Sequence, residues 1–280
     1  ASSSAMDLFI RADAFDNVKM TSTKAEDWTI PEVADAMDSG RLTYVGKYSA
    51  PDYETILDGG CDLVIENTMI YHSPKAREQL EALGLPVIVE NSSYEKHVLG
   101  RIEWVKLYGL LTGHLDEAEA FFDDAKRRLD ALGQSQPTGK KVAFFYITSS
   151  GYVNTRKPGD YVSELIGMAG GDYALDGVSF SDDSKLSTIN MDVESFVEAA
   201  QDANIIIYNS TVGGAPESID ELTAGAPFLK EFDAVRSGEV WCTGADMFQM
   251  TGSLPDVAEE LGVIISGDDD EGLSFFKKLR

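Results

Sequence analysis

The chain has 280 residues, 43% of them hydrophobic and 25% charged, which is ordinary for a globular protein and long enough for two separate cores. Its formal net charge of −25 is not ordinary. With no basic patch to offset that charge, a nucleic-acid phosphate backbone would be repelled, and no stretch is long or apolar enough to span a bilayer.

Taken in order, residues 1–20 read as a loop and then a helix, with Met6, Phe9, Ile10 and Ala14 on one side. Pro31–Met37 is a short helix with proline in its first turn, Leu42–Gly46 a short strand, and Tyr48–Pro51 the loop after it. A helical turn over Asp52–Leu57 is stopped by Gly59 and Gly60 ahead of the strand Asp62–Glu66. The loop Asn67–Ser73, the helix Pro74–Leu83 and the strand Pro86–Glu90 follow, then a helix over Glu95–Leu111. Strands with continuous apolar centres alternating with helices mark βαβ units around a buried parallel sheet.

Leu115–Gly133 is the most strongly periodic segment. Leu115, Ala118, Phe122, Ala125, Leu129 and Leu132 form one apolar stripe, with Asp116 and Glu119 placed as a capping box and Gly133 as a stop. At 1.5 Å per residue this helix spans roughly 25 Å, enough to join two small domains. The turn-rich linker Gln134–Gly139 closes it.

The pattern then begins again. Strands are expected at Lys141–Thr148, Asn204–Tyr208 and Glu239–Thr243, and helices at Tyr161–Ala169, Val193–Ala200, Ile219–Leu222, Phe228–Phe232, Pro255–Leu261 and Gly272–Leu279, with a solvated acidic loop at Asp268–Glu271. The two cysteines, Cys61 and Cys242, each border a strand in different halves and read as small buried hydrophobes; no zinc spacing is present. The segments 51–66 and 191–209 echo one another as acid, Glu, short helix and buried strand, with Glu54 and Glu194 in matching places. The expected architecture is α/β, as two Rossmann-like α/β lobes joined by a single long backbone helix with a ligand cleft between them. The lobes are 1–114 and 139–280, with 115–138 as helix and linker.

The segments DYETILDGGCDLVIE, GLPVIVENSSYEKHVLGRIEWVKLYGLLTG, PGDYVSELIGMAGGDYAL and AVRSGEVWCTGADMFQ, with the periodic helix between the second and third, stand in an order that resembles the class III substrate-binding proteins of ABC importers, the siderophore, haem and cobalamin type. The resemblance covers nearly the whole chain and implies the same two-lobe fold. It implies an ABC permease as partner, with Glu54 and Glu194 as the carboxylates that dock onto permease arginines. It also implies a strand, an export signal and a lipid-anchored cysteine ahead of Ala1. The protein is then an extracytoplasmic, membrane-anchored lipoprotein and a monomer.

Ligands of open parallel α/β sheets sit beyond the carboxyl ends of the strands. That selects the segments Ser2–Met6, Lys47–Pro51, Asn67–Ser73, Asn91–Arg101, Thr148–Lys157, Asn209–Gly214 and Gly244–Met250. Their aromatic side chains Tyr48, Tyr71, Tyr94, Tyr152 and Phe248 offer contact area to a bulky chelate. Arg101, Arg156 and Lys157 suit carboxylate or chelate oxygens, with Arg156 and Lys157 expected at the cleft mouth. His72 and His97, beside Tyr71 and Tyr94, are candidates for haem iron or for a plain hydrogen bond, while His114 reads as a surface or capping residue. Met247 and Met250 reach a soft ligand or pack. No bare-metal site and no resident cofactor are expected, although the ligand itself can carry iron. The chain has no Ser-His-Asp order, no phosphate-binding loop and no dinucleotide pattern, so it reads as a non-enzyme. The ligand expected first is a ferric siderophore, then haem, then a corrinoid. The rival from another class is a two-lobed enzyme, a tetrapyrrole chelatase with His72 or His97 as proton acceptor or a sugar transferase.

Overall fold

The structure is a computed structural model that describes residues 3–134, 136–180, 186–268 and 272–280. The chain divides into two compact units. The first comprises residues 1–95, 99–124 and 248–252, and the second residues 96–98, 125–247 and 253–280. The chain passes between the units within the long helix at 124/125, and also at 95/96, 98/99, 247/248 and 252/253.

Unit 1 opens with α1 (Ser3–Arg11), then β1 (Met20–Thr21), α2 (Pro31–Asp38), β2 (Thr43–Tyr44), β3 (Gly46–Lys47), β4 (Ala50–Pro51), α3 (Tyr53–Asp58), β5 (Val64–Asn67), α4 (Pro74–Ala82) and β6 (Val87–Glu90). β1 runs parallel to β2, and β5 runs parallel to β6 with Val64 opposite Val87 and Asn67 opposite Glu90. The expected strand over Leu42–Gly46 is split. Gly46 adopts φ +83°, which turns the chain out of β2 and into the β3–β4 hairpin. The loop expected at Ser2–Met6 is replaced, from Ser3 onward, by the first turns of α1, whose Ala5, Met6 and Leu8 are buried; Ser2 lies outside the described residues.

The helices α5 (Val98–Thr112) and α6 (Leu115–Leu132) follow, joined by Gly113 and His114. Asp116 does not cap α6. Ala118 N–H already donates to the His114 carbonyl, so the helix starts at Leu115 and Asp116 lies inside its first turn. His114 is thus the connecting residue. The stripe holds: Ala118, Phe122, Ala125 and Leu129 are buried, while Leu115 and Leu132 at the ends are half-buried. Gly109 of α5 lies so near α6 that a β-carbon there would stand 2.5 Å from Ala118 Cβ and 2.6 Å from the His114 carbonyl oxygen.

Unit 2 carries β7 (Lys141–Ile147), β8 (Val153–Arg156), α7 (Tyr161–Met168), β9 (Asp172–Tyr173), β10 (Thr188–Met191), α8 (Val193–Ala200), β11 (Ile205–Tyr208), α9 (Ile219–Gly225), α10 (Asp233–Ser237), β12 (Val240–Thr243), α11 (Leu254–Ser266) and β13 (Phe276–Lys278). Its sheet has the order β10-β8-β7-β11-β12-β13, with β9 also on β7. β7, β11 and β12 are parallel and apolar on both faces, as burial from both sides requires. The rings of Phe145, Phe196 and Phe232 pack in succession through the core, the first pair tilted and the second stacked, at 4.7 and 5.7 Å between centroids. Two expectations fail here. The segment after Gly272 is not a helix: Phe276 pairs with Thr243 and Lys278 with Trp241, so the chain's end is used as an antiparallel edge strand. The segment Thr148–Lys157 is not a loop but a hairpin, with β8 antiparallel to β7 and then to β10.

Candidate ligand-binding surfaces

In unit 1 the parallel pair β5 and β6 delivers two short turns to the same edge, Thr68–His72 and Ser92–Tyr94. The first is set by the Asn67 side chain, which accepts the Met69 N–H at 2.9 Å, and by Ile70, which is buried and plugs the turn into the core. Met69 (44%), Tyr71 (52%) and His72 are left exposed. The second turn is pinned by Glu90, whose buried carboxylate accepts the Ser92 N–H at 2.6 Å. Arg101 donates to the Ser93 and Glu95 carbonyls at 2.9 and 3.1 Å, and Trp104 Nε1 donates to the Glu95 carboxylate at 3.3 Å. Tyr94 (43% exposed) stands on this turn. Arg101, expected to meet a ligand oxygen, is thus turned to the backbone of the loop it supports. Tyr48 sits half-buried in the β3–β4 turn.

In unit 2 the carboxyl ends of β7, β11 and β12 lie on one edge. The β7–β8 turn closes through Thr148: its N–H donates to the Tyr152 carbonyl at 2.8 Å and its Oγ1 accepts the Tyr152 N–H at 3.0 Å, with Gly151 at φ +83°. This leaves Tyr152 49% exposed. After β11, the buried Ser210 donates its N–H to Thr243 Oγ1 at 3.0 Å and its hydroxyl to the Thr243 carbonyl, joining the loops that follow β11 and β12. Asn209 Oδ1 accepts from the Thr211 N–H and hydroxyl at 3.2 and 2.6 Å, and Val212 beyond it is 49% exposed. Met69 and Val212 were not singled out in the sequence. The signal for both was a large apolar residue in a segment that follows a buried strand.

Several expected site residues lie elsewhere. Arg156 is in β8, not at a loop tip. Its side chain is buried 3.5 Å from the Asp160 carboxylate, with Ser187 Oγ at 3.2 Å and its guanidinium carbon 5.3 Å from the Tyr161 ring centre. Its carbonyl accepts the Tyr173 hydroxyl at 2.7 Å, and burial pushes that hydroxyl's pKa well up. Lys157 is half-buried, and its N–H donates to the Ser187 carbonyl. His97 is exposed with Nδ1 3.3 Å from Glu164, whose other oxygen accepts the Val98 N–H at 2.6 Å and so caps α5. Met247 is buried, and Phe248 and Met250 are half-buried in the segment 248–252 of unit 1, with Met250 packed on the cluster around Met6 and Trp28. Among the described residues no three His, Cys, Asp or Glu side chains converge on a metal position, and no helix is long and apolar enough to cross a membrane.

Glu54 and Glu194 stand in matching settings. Asp52 caps α3, its two oxygens accepting the Thr55 N–H at 3.1 Å and the Thr55 hydroxyl at 2.7 Å. Asp192 caps α8 in the same way, taking the Ser195 N–H and hydroxyl at 2.8 Å each. These bonds hold both aspartates below the usual carboxylate range. Each glutamate is the second helical residue after its cap and is exposed.

Each of the two α/β units thus carries exposed aromatic side chains on the carboxyl edge of its parallel strands. The chain belongs to the periplasmic binding protein family, whose model matches residues 2–247. Among solved structures it is similar to the periplasmic heme binding protein of Vibrio cholerae, with TM-score 0.75 and 17% identity over 95% of this chain and 96% of that one. It is also similar to the periplasmic vitamin B12 binding protein of Vibrio cholerae, with TM-score 0.60 and 19% identity over 95% and 94% of the two chains. A curated relative is an uncharacterized lipoprotein of Methanocaldococcus jannaschii, 22% identical over 229 residues, 81% of this chain and 53% of the relative. The chain thus spans about half the length of that relative.

Proposed function

We propose that this chain is an extracytoplasmic solute-binding protein, membrane-anchored as a lipoprotein, that captures a metal chelate and delivers it to an ABC permease without catalysing a reaction. The observation that carries the reading is the placement of Tyr71 and Tyr94 in unit 1 and Tyr152 in unit 2, large rings half-exposed on turns that are each pinned by hydrogen bonds. Held rings on a polar edge give a bulky ligand contact area at small entropic cost. The fold neighbours include proteins named for haem and vitamin B12, and the curated relative is a lipoprotein, which supports the class and the location. Glu54 and Glu194 are the docking carboxylates of the proposal, fixed by identical caps and suited to orient a complex that must also release.

A ferric siderophore remains the first ligand, on the tyrosines alone, now that Arg101 and Arg156 are engaged within the protein. Haem is the second reading, favoured by Tyr71 and His72 on one exposed turn, either of which is a known type of iron ligand. The test is a titration of the purified protein with a panel of ferric siderophores, haemin and cyanocobalamin, following tryptophan emission corrected for ligand absorbance. Trp104, bonded to the Glu95 side chain next to Tyr94, is the reporter tied to that turn. Saturable quenching by one member at sub-micromolar concentration, absent for its metal-free form, is the expected result. Turnover of any member, or no saturable response to all of them, overturns the proposal.

A further inference from the structure

The segment 248–252 belongs to unit 1, whereas Met247 and Ser253 on either side of it belong to unit 2. Unit 1 holds this short excursion mainly by side chains. Gln249 grips the backbone on both sides of Trp28: its Oε1 accepts the Thr29 N–H at 3.0 Å and its Nε2 donates to the Asp27 carbonyl at 2.8 Å. At the other end the Gly252 N–H donates to Asp7 Oδ2 at 2.5 Å, and Asp7 is buried and paired with Arg11 at 3.3 Å. A β-carbon at residue 252 would stand 2.7 Å from Arg11 Cγ and 3.0 Å from Asp7 Oδ2, so Gly252 leaves room for the paired side chains. Between the two grips, Met250 packs on the cluster that contains Met6, Trp28 and Ile30.

We infer that residues 248–252 form a latch, clipped onto unit 1 by Gln249 and Asp7, which closes over Trp28 and leaves it as a single piece. Three features support this over ordinary loop packing. The attachments lie at the two ends of five residues, so loss of one shifts the load to the other. They are side-chain bonds rather than a strand ladder, which lets the segment part from the unit without unravelling a sheet. Of the two residues between the grips, the apolar one is methionine, an adaptable side chain that can leave and re-enter an irregular pocket. The inference stands apart from the binding proposal and concerns the chain's own mechanics.

The test uses the full chain with Trp104→Phe and Trp241→Phe, so that Trp28 is the reporter, and adds Gln249→Ala. Amide exchange and acrylamide quenching of Trp28 are measured together. The expected result is that Gly252 exchanges on the order of tenfold faster although its own bond to Asp7 is untouched, as loss of two ordinary hydrogen bonds from one cooperative piece implies. Trp28 quenching rises with it, and exchange in α1 and α2 is unchanged. Faster exchange confined to residues 27–29 and 249, with Gly252 unmoved, overturns the inference, because the grips would then be independent. Faster exchange throughout unit 1 also overturns it, because the segment would then be part of the core. Asp7→Ala, which removes the acceptor of the Gly252 N–H, serves as the second variant, and must speed exchange at Thr29, whose N–H Gln249 holds, from the opposite end.

Discussion

Gly109→Ala tests the contact that brings α5 against α6. The added β-carbon would stand 2.5 Å from Ala118 Cβ and 2.6 Å from the His114 carbonyl oxygen, where ordinary carbon contacts are ~3.5–4.0 Å. Ala118 is buried and cannot turn aside, and the His114 carbonyl is held by the Ala118 N–H. The helices must therefore part by about an ångström, an overpacking cost of ~1–3 kcal/mol. Alanine's better helix propensity returns up to ~1 kcal/mol, so a net loss of about 1–2 kcal/mol is expected. Ala118→Gly in the same chain removes the first clash but not the second. The double variant should then recover part of the loss, with a coupling energy of roughly 0.5–1.5 kcal/mol. Urea unfolding followed through Trp104 of α5 reads both effects, within unit 1. A Gly109→Ala protein as stable as the parent, or a coupling energy of zero, would refute the reasoning.

The other predictions concern the buried carboxylate, the Arg156 network and the tyrosines. Burial outweighs Arg11 and holds the Asp7 carboxyl above its ordinary 3.8, so its stabilising share is whole below that value and is lost as pH rises through the folded pKa. Urea midpoints from pH 3.5 to 7 should show the parent losing stability relative to Asp7→Asn as pH rises; a difference that stays constant would show that Asp7 is not desolvated. Tyr173→Phe strips a partner from the buried Arg156 carbonyl and Thr155 hydroxyl, and should cost ~1–3 kcal/mol by denaturant unfolding while leaving chelate affinity unchanged. Tyr71→Ala, Tyr94→Ala and Tyr152→Ala should each weaken the responsive chelate by about tenfold with little change in melting temperature, since all three residues are only half-buried. Full affinity in all three variants would remove the observation on which the binding proposal rests.

How much of this was legible follows from where the hydrophobic signal lies. α6 was readable because its stripe repeats over five turns, and β7, β11 and β12 because strands buried on both faces are continuous apolar runs. β8 and β10 were not. They sit toward the sheet's edge, are only four residues each, and carry Asn154 and Asn190 facing each other at 2.7 Å, so neither offers the continuous apolar run of the central strands. β13 was misread because Phe275, Phe276 and Leu279 also fit a helical spacing, and only the open edge of β12 decides between the two. Arg156 was misread for a different reason. A cation among turn residues looks free in a sequence, and the carboxylate that claims it, Asp160, looks like a helix cap, which it also is. Gln249 left no trace, because its partners lie some 220 residues away along the chain.

The matched caps bear on the proposal that Glu54 and Glu194, rather than other acids in so acidic a chain, are the docking carboxylates. A carboxylate that must meet a partner's cation has to be both fixed in place and uncommitted. A glutamate at the cap position itself would be fixed but spent on backbone N–H groups, and one in the middle of an exposed helix would be uncommitted but mobile. Placing aspartate at the cap separates the two tasks. Asp52 and Asp192 use both oxygens on the Thr55 and Ser195 N–H and hydroxyl groups, which sets the first turn, and the glutamate two residues on projects from that turn. Replacing Asp52 and Asp192 by serine keeps a capping oxygen and removes a charge, so the first turns of α3 and α8 should keep their slow amide exchange, whereas alanine at the same positions should lose it. If serine frays the turns as alanine does, the caps act through their charge and the division of labour argued here is wrong.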